Sequence, residues 1–119
     1  MNGLRILLVE DVEFNIFVAE MMLKNWNAEV DKAENGFIAV GKVKTNEYDL
    51  ILMDIQMPVM DGYTATKEIR KFNTTTPIIA LTASISIDIQ EKADMVGMNG
   101  FITKPFNPNE LFSIIKSSV

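Results

Sequence analysis

Three unbroken apolar runs punctuate the chain, Ile6 to Val9, Leu50 to Met53 and Ile78 to Leu81. Each is too short for a typical helix and rich in branched side chains, which is how a parallel strand buried on both faces reads. Two weaker segments, Ala28 to Ala33, which alternates, and Phe101 to Thr103, read as further strands. The segments between them follow a helical period. Asn15, Val18, Ala19, Met22 and Leu23 form one stripe at i, i+3, i+4, i+7 and i+8. A second helix is expected from about Gly36 to Lys44 and a third from near Gly62 to Lys71. The fourth covers about Ile87 to Val96, where Gly97 supplies a stop signal. The fifth opens at Asn107, a good N-cap, with Pro108 suited to the first helical position.

Strands that alternate with helices through short loops imply a parallel sheet with right-handed crossovers. The expectation is therefore a doubly wound α/β fold of five strands and five helices. No linker, low-complexity tract or second core interrupts it, so residues 1–119 read as a single domain.

Composition narrows the chemistry more than the fold. There are no cysteines, which excludes disulfides, thiolate metal sites and cysteine nucleophiles. There are no histidines, which removes the commonest general base and the usual transition-metal ligand. Any catalysis must rest on carboxylates, lysine, hydroxyls or a hard metal ion. The formal net charge of −5 argues against direct nucleic-acid binding, which calls for clustered Lys and Arg. The one basic bunch, Lys67, Arg70 and Lys71, suits a solvated helix end. No apolar run has the length of a membrane helix and the start lacks a secretory pattern, so a cytoplasmic location is expected, without direct membrane contact.

In an open parallel sheet, function gathers at the carboxyl ends of the strands. There the sequence places Glu10 and Asp11 after strand one, Asp54 after strand three, Thr82 after strand four and Lys104 after strand five. Singly, each has an ordinary role: Asp11 as a cap of the first helix, Asp61-Gly62 as a turn, Lys104 as a surface residue, Thr82 as an N-cap. Jointly those roles fail, because three converging carboxylates repel one another unless something neutralises them. Mg²⁺ together with the Lys104 ammonium would do so, Mg²⁺ being commonly held by one or two carboxylates plus substrate phosphate. Such a site suits phosphoryl transfer. Asp54 would be the nucleophile, and Glu10 and Asp11 would hold the metal. The backbone carbonyl of Gln56 would be a further ligand. Lys104 would pair with one phosphate oxygen and Thr82 with another.

With these residues in place, the chain closely resembles the receiver domain of bacterial response regulators, the phospho-accepting unit of two-component signalling. LLVED, LILMDIQMPVMDGY, IIALTAS and GFITKPF match in the family's order and spacing, from about Leu4 to Lys116. The resemblance implies a flavodoxin-like receiver fold with strand order 2-1-3-4-5, and Mg²⁺ as cofactor, with Mn²⁺ able to substitute. It also makes Thr82 the hydroxyl that swings towards the phosphoryl group. Phe101 becomes the aromatic switch that turns inward with it, although a plain core aromatic remains open at that position. Lys104-Pro105 matches a peptide bond that is cis in the family.

A finer resemblance is to receivers of hybrid histidine kinases: VEDVEFNIFV keeps their Asn at position 15, while Val12 replaces the usual Asn. Phe14, Phe17 and Met21 lie off the core face of the first helix, as a docking patch or a partly buried flank. The family's partners, a histidine kinase or a histidine phosphotransfer protein, approach beside that helix. The expected function is a switch on Asp54 that changes partner binding or passes phosphate onward, free-standing or within a longer protein. A pseudo-receiver that only binds protein is the alternative, and neither an acidic ligand nor the lysine is missing to favour it. A flavodoxin-like cofactor domain lacks its Gly/Ser/Thr-rich first loop. An aspartyl phosphatase would want Asp where Gln56 stands.

Overall fold

A computed structural model describes residues 2–119. Strands β1 (Arg5–Val9), β2 (Glu29–Ala33), β3 (Leu50–Asp54), β4 (Ile78–Thr82) and β5 (Gly100–Thr103) alternate with helices α1 (Glu13–Asn25), α2 (Gly36–Thr45), α3 (Gly62–Arg70), α4 (Ile87–Val96) and α5 (Pro108–Ser118). All the strands pair in parallel, in the order β2-β1-β3-β4-β5. The parallel pairing is what the strand–helix alternation predicts, and the order is the one that the receiver resemblance implies.

Successive residues of a strand point to opposite faces, so the unbroken apolar runs feed two cores. On one face Ile6, Leu8, Leu50, Leu52, Ile79 and Leu81 pack against Ala19 and Leu23 of α1 and Leu111 and Ile115 of α5. On the other, Leu7, Val9, Ile51, Met53, Ile78 and Ala80 meet α2, α3 and α4 through Ala39, Val43, Ala65, Ile69 and Ala93. Each fully buried Leu or Ile contributes about 1.5–3 kcal/mol by leaving water. The central strands need both layers.

Local chemistry sets the boundaries. Asn35, Asp61, Ser86 and Asn107 cap α2, α3, α4 and α5, each accepting a first-turn backbone N–H. Gly97 closes α4 at φ +100°, a left-handed conformation that glycine adopts without penalty. α1 is different: Val12 precedes it and offers no side-chain cap, and Asp11 does not take that role.

Some details depart from the sequence pattern. β2 lies at the sheet edge and does not alternate cleanly; only Ala33 within it is buried. On α1 the core contacts come from Ile16, Ala19 and Leu23, flanked by Val18 and Met22, while Asn15 turns elsewhere. α3 ends at Arg70 with Lys71 as its C-cap. β3 and β4 each run one residue further than their apolar runs. Asp54 therefore pairs with Leu81 and Thr82 with Thr103, inside the ladder. No helix among the described residues is long and apolar enough to cross a membrane.

Candidate functional site

The carboxyl ends of β1, β3, β4 and β5 meet at one rim. Glu10 follows β1 and is fully buried, and Asp54, the last residue of β3, is 3% exposed. Asp11 lies in the open beside them. One carboxylate oxygen from each of Glu10, Asp11 and Asp54 lies within 4.8 Å of the others. Lys104 enters from beyond β5. Its Nζ donates to Asp54 Oδ2 at 3.1 Å and to Glu10 Oε2 at 3.2 Å. Its backbone N–H donates to the carbonyl of Thr82 at 2.8 Å, which anchors the root of the side chain to β4. The Lys104–Pro105 peptide bond is cis.

The remaining oxygens are also held. Asp54 Oδ1 accepts the backbone N–H of Gln56 at 3.1 Å. Glu10 Oε1 accepts the Val12 N–H and the Asn15 side-chain amide, both at 3.3 Å. Among the described residues no buried side-chain polar atom lacks a partner. Behind the site, Gly62 lies against the end of β3. A Cβ there would sit 2.2 Å from the Asp54 carbonyl oxygen and 2.8 Å from Ile55 Cα, so only glycine permits this close packing of α3.

Burial raises the Asp54 carboxyl to about 6, and the Glu10 charge adds to that, against the lowering pull of the Gln56 N–H and Lys104. For Lys104, burial works against the charged form, but Asp54 and Glu10 together outweigh it and raise the ammonium above its ordinary value. At neutral pH one ammonium faces a pair of buried carboxylates, with Asp11 beside them. The donor set is all oxygen, and Mg²⁺ demands oxygens in a compact shell. Three carboxylates with oxygens this close, and a net negative charge, suit such a cation.

The other residues singled out in the sequence are distributed as follows. Thr82 is buried, but its hydroxyl donates to the Ser84 carbonyl at 2.7 Å and makes no hydrogen bond to Asp54, Glu10 or Lys104. Gln56 is exposed at the mouth of the site. Phe101 is half-buried on β5 and packs against the core beneath α2, α3 and α4. Phe14, Phe17 and Met21 are 71%, 63% and 56% exposed, so they form an outward apolar stripe and not a buried flank. Two residues that the sequence places in other roles, Asn15 on a helical stripe and Gly62 in a turn, also contribute to the site. Asn15 reaches Glu10, and its place in the first turn of α1 after an acidic loop is the signal. Gly62 sets the approach to Asp54, and the Asp61-Gly62 pair marks it as a tight junction.

Comparison with known proteins places this geometry in a family. The model for the response regulator receiver domain matches residues 6–116. The two-component response regulator ORR41 of rice, Oryza sativa subsp. japonica, is 43% identical over 94% of this chain and 91% of its own length. Hybrid signal transduction histidine kinase G of Dictyostelium discoideum is 44% identical over 94% of this chain but 3% of its own. The chain spans a fifth or less of the length of the first curated relatives it matches. Among solved structures, the receiver domain of sensor histidine kinase PA1611 from Pseudomonas aeruginosa PAO1 is 42% identical, with a TM-score of 0.90 over 97% of this chain and 96% of that one. That structure holds a magnesium ion coordinated in its active-site cleft.

Proposed function

The chain belongs to the response regulator receiver family of two-component signalling, and from that premise we propose that Asp54 accepts a phosphoryl group from a phosphohistidine and thereby switches partner binding or passes the group onward. The observation that carries this reading is the Lys104 ammonium held between Asp54 and Glu10 with Asp11 alongside. A buried carboxylate with one cation aimed at it is a nucleophile with its charge compensation already in place.

An Asp54 carboxylate oxygen bonds to phosphorus as the bond from phosphorus to the donor imidazole breaks; the donor ring, already protonated on its other nitrogen, leaves as neutral imidazole, and an acyl phosphate stays on Asp54. This chain has no histidine, so the donor lies in another protein or in another part of a longer one. Lys104 shifts from the carboxylates to a phosphoryl oxygen. Glu10, Asp11, Asp54 and the Gln56 carbonyl would hold Mg²⁺, or Mn²⁺ in its place. When bound, that ion neutralises charge on the transferring group. Thr82 exchanges its Ser84 acceptor for a phosphoryl oxygen, and the half-buried Phe101 turns inward behind it. Hydrolysis resets the switch, with Gln56 and Ser84 flanking the approach of water.

The unit is a single receiver domain, and its partners are a histidine kinase or a histidine phosphotransfer protein that docks on Phe14, Phe17 and Met21. Nucleic acid and membrane are not contacted directly. Incubation with a phosphorylated histidine phosphotransfer protein should label the wild-type chain and leave Asp54→Asn unlabelled. Labelling of both variants would move the site elsewhere.

A further inference from the structure

Glu10 is the most enclosed group in the site, and one side chain outside the acidic set helps to hold it. Its Oε2 faces Lys104, while Oε1 is turned back towards α1 by the Val12 N–H and the Asn15 amide. Charge fixes the sense of the Asn15 amide: its NH₂ faces the carboxylate, because its oxygen would be repelled there. We propose that Asn15 is a positioning residue for Glu10, aiming one carboxylate oxygen at the metal and phosphoryl site by occupying the other. The inference rests on the reading that Glu10 and Asp11 hold the metal.

The local structure supports it. Asn15 sits in the first turn of α1, at the place from which a side chain reaches back over a helix start. That start has no capping side chain of its own, and the buried carboxylate takes the Val12 N–H instead. Glu10 and the head of α1 therefore form one unit, with Asn15 as its side-chain fastener. At 3.3 Å the contact is long, so its value for stability is small. What it removes is freedom. With Asn15 gone, Oε1 keeps one backbone donor and the carboxylate can rotate away from the rim. Partners that orient a metal-binding carboxylate typically change metal affinity by about 10–100-fold when removed.

The test is Mg²⁺ titration of the whole chain followed by the amide NMR signals of Val12 and Gln56, with unfolding in chelator as the control for fold. Asn15→Leu keeps the volume and loses the donor, and Asn15→Gln keeps an amide that can reach back from the same turn. The expected result is a Mg²⁺ dissociation constant raised about tenfold in Asn15→Leu, near wild type in Asn15→Gln, with both melting within a few degrees of wild type in chelator. If Asn15→Leu does not fold, Asn15→Ala carries the same expectation. Wild-type affinity in the donor-free variant, or equal loss in both, would overturn the positioning role. Wild-type signals that ignore Mg²⁺ would instead overturn the metal reading itself, and this inference with it.

Discussion

The Lys104 ammonium bonds to the Asp54 carboxylate at 3.1 Å across the mouth of a parallel sheet, although fifty residues separate them. It also bonds to Glu10, so one cation serves a pair of buried anions. Removing it in Lys104→Met would leave both carboxylates facing each other, at a cost of roughly 3–5 kcal/mol for a broken buried pair. Thermal unfolding in chelator should show that loss, and Mg²⁺ should restore part of it. Phosphorylation of the same variant should slow by a factor on the order of 10²–10³, the size expected when one charge-stabilising donor is lost.

The raised Asp54 value sets a pH dependence whose sign can be worked out. The folded chain holds the Asp54 proton up to about pH 6, whereas the unfolded chain releases it near 3.8. This group's contribution to stability is therefore fully present below the unfolded value and lost as pH rises through 6. In chelator at pH 7.5, Asp54→Asn should be more stable than wild type by about 1–3 kcal/mol, and the gap should shrink to under about 1 kcal/mol by pH 4. Denaturant titration of the two proteins across that range is the check.

Phe14 and Phe17 face solvent beside the site. Phe14→Ala and Phe17→Glu should slow transfer from a phosphohistidine protein and leave phosphorylation by acetyl phosphate unchanged. Both should fold with stability within about 0.5 kcal/mol of wild type, as exposed substitutions do. Equal slowing with both donors would remove the docking role.

Gly62 and Gly41 make a matched pair. Gly62→Ala would force a methyl group into the Asp54 carbonyl and should cost about 3 kcal/mol or prevent folding. Gly41 lies on the open face of α2 with nothing near its missing Cβ, so Gly41→Ala should stabilise by about 0.5–1 kcal/mol. Melting temperatures of the two variants should move in opposite directions.

How much of this could be read from the sequence differs between the sheet and the site. β1, β3 and β4 were legible because burial on both faces writes an unbroken apolar run. β2 was legible only as a weak strand, because its edge position leaves Glu29, Asp31 and Lys32 outside the core. The convergence of Glu10, Asp11, Asp54 and Lys104 followed from topology alone, since parallel strands deliver their carboxyl ends to one rim. What topology does not carry is side-chain direction. The same spacing fits a Thr82 turned to the site or, as here, to Ser84, and it placed Asn15 on the core stripe although its amide serves Glu10. Those choices are made by single hydrogen bonds, which leave no periodic trace.

The central claim is that Asp54 is the phosphoryl acceptor. Intact mass after incubation with acetyl phosphate and Mg²⁺ tests it most directly, beside Asp54→Asn and a chelated control. The account predicts one phosphoryl adduct on the wild-type chain and none in either control. An adduct that survives in Asp54→Asn, or a wild-type chain that stays unmodified with acetyl phosphate and with a phosphohistidine donor alike, would contradict it.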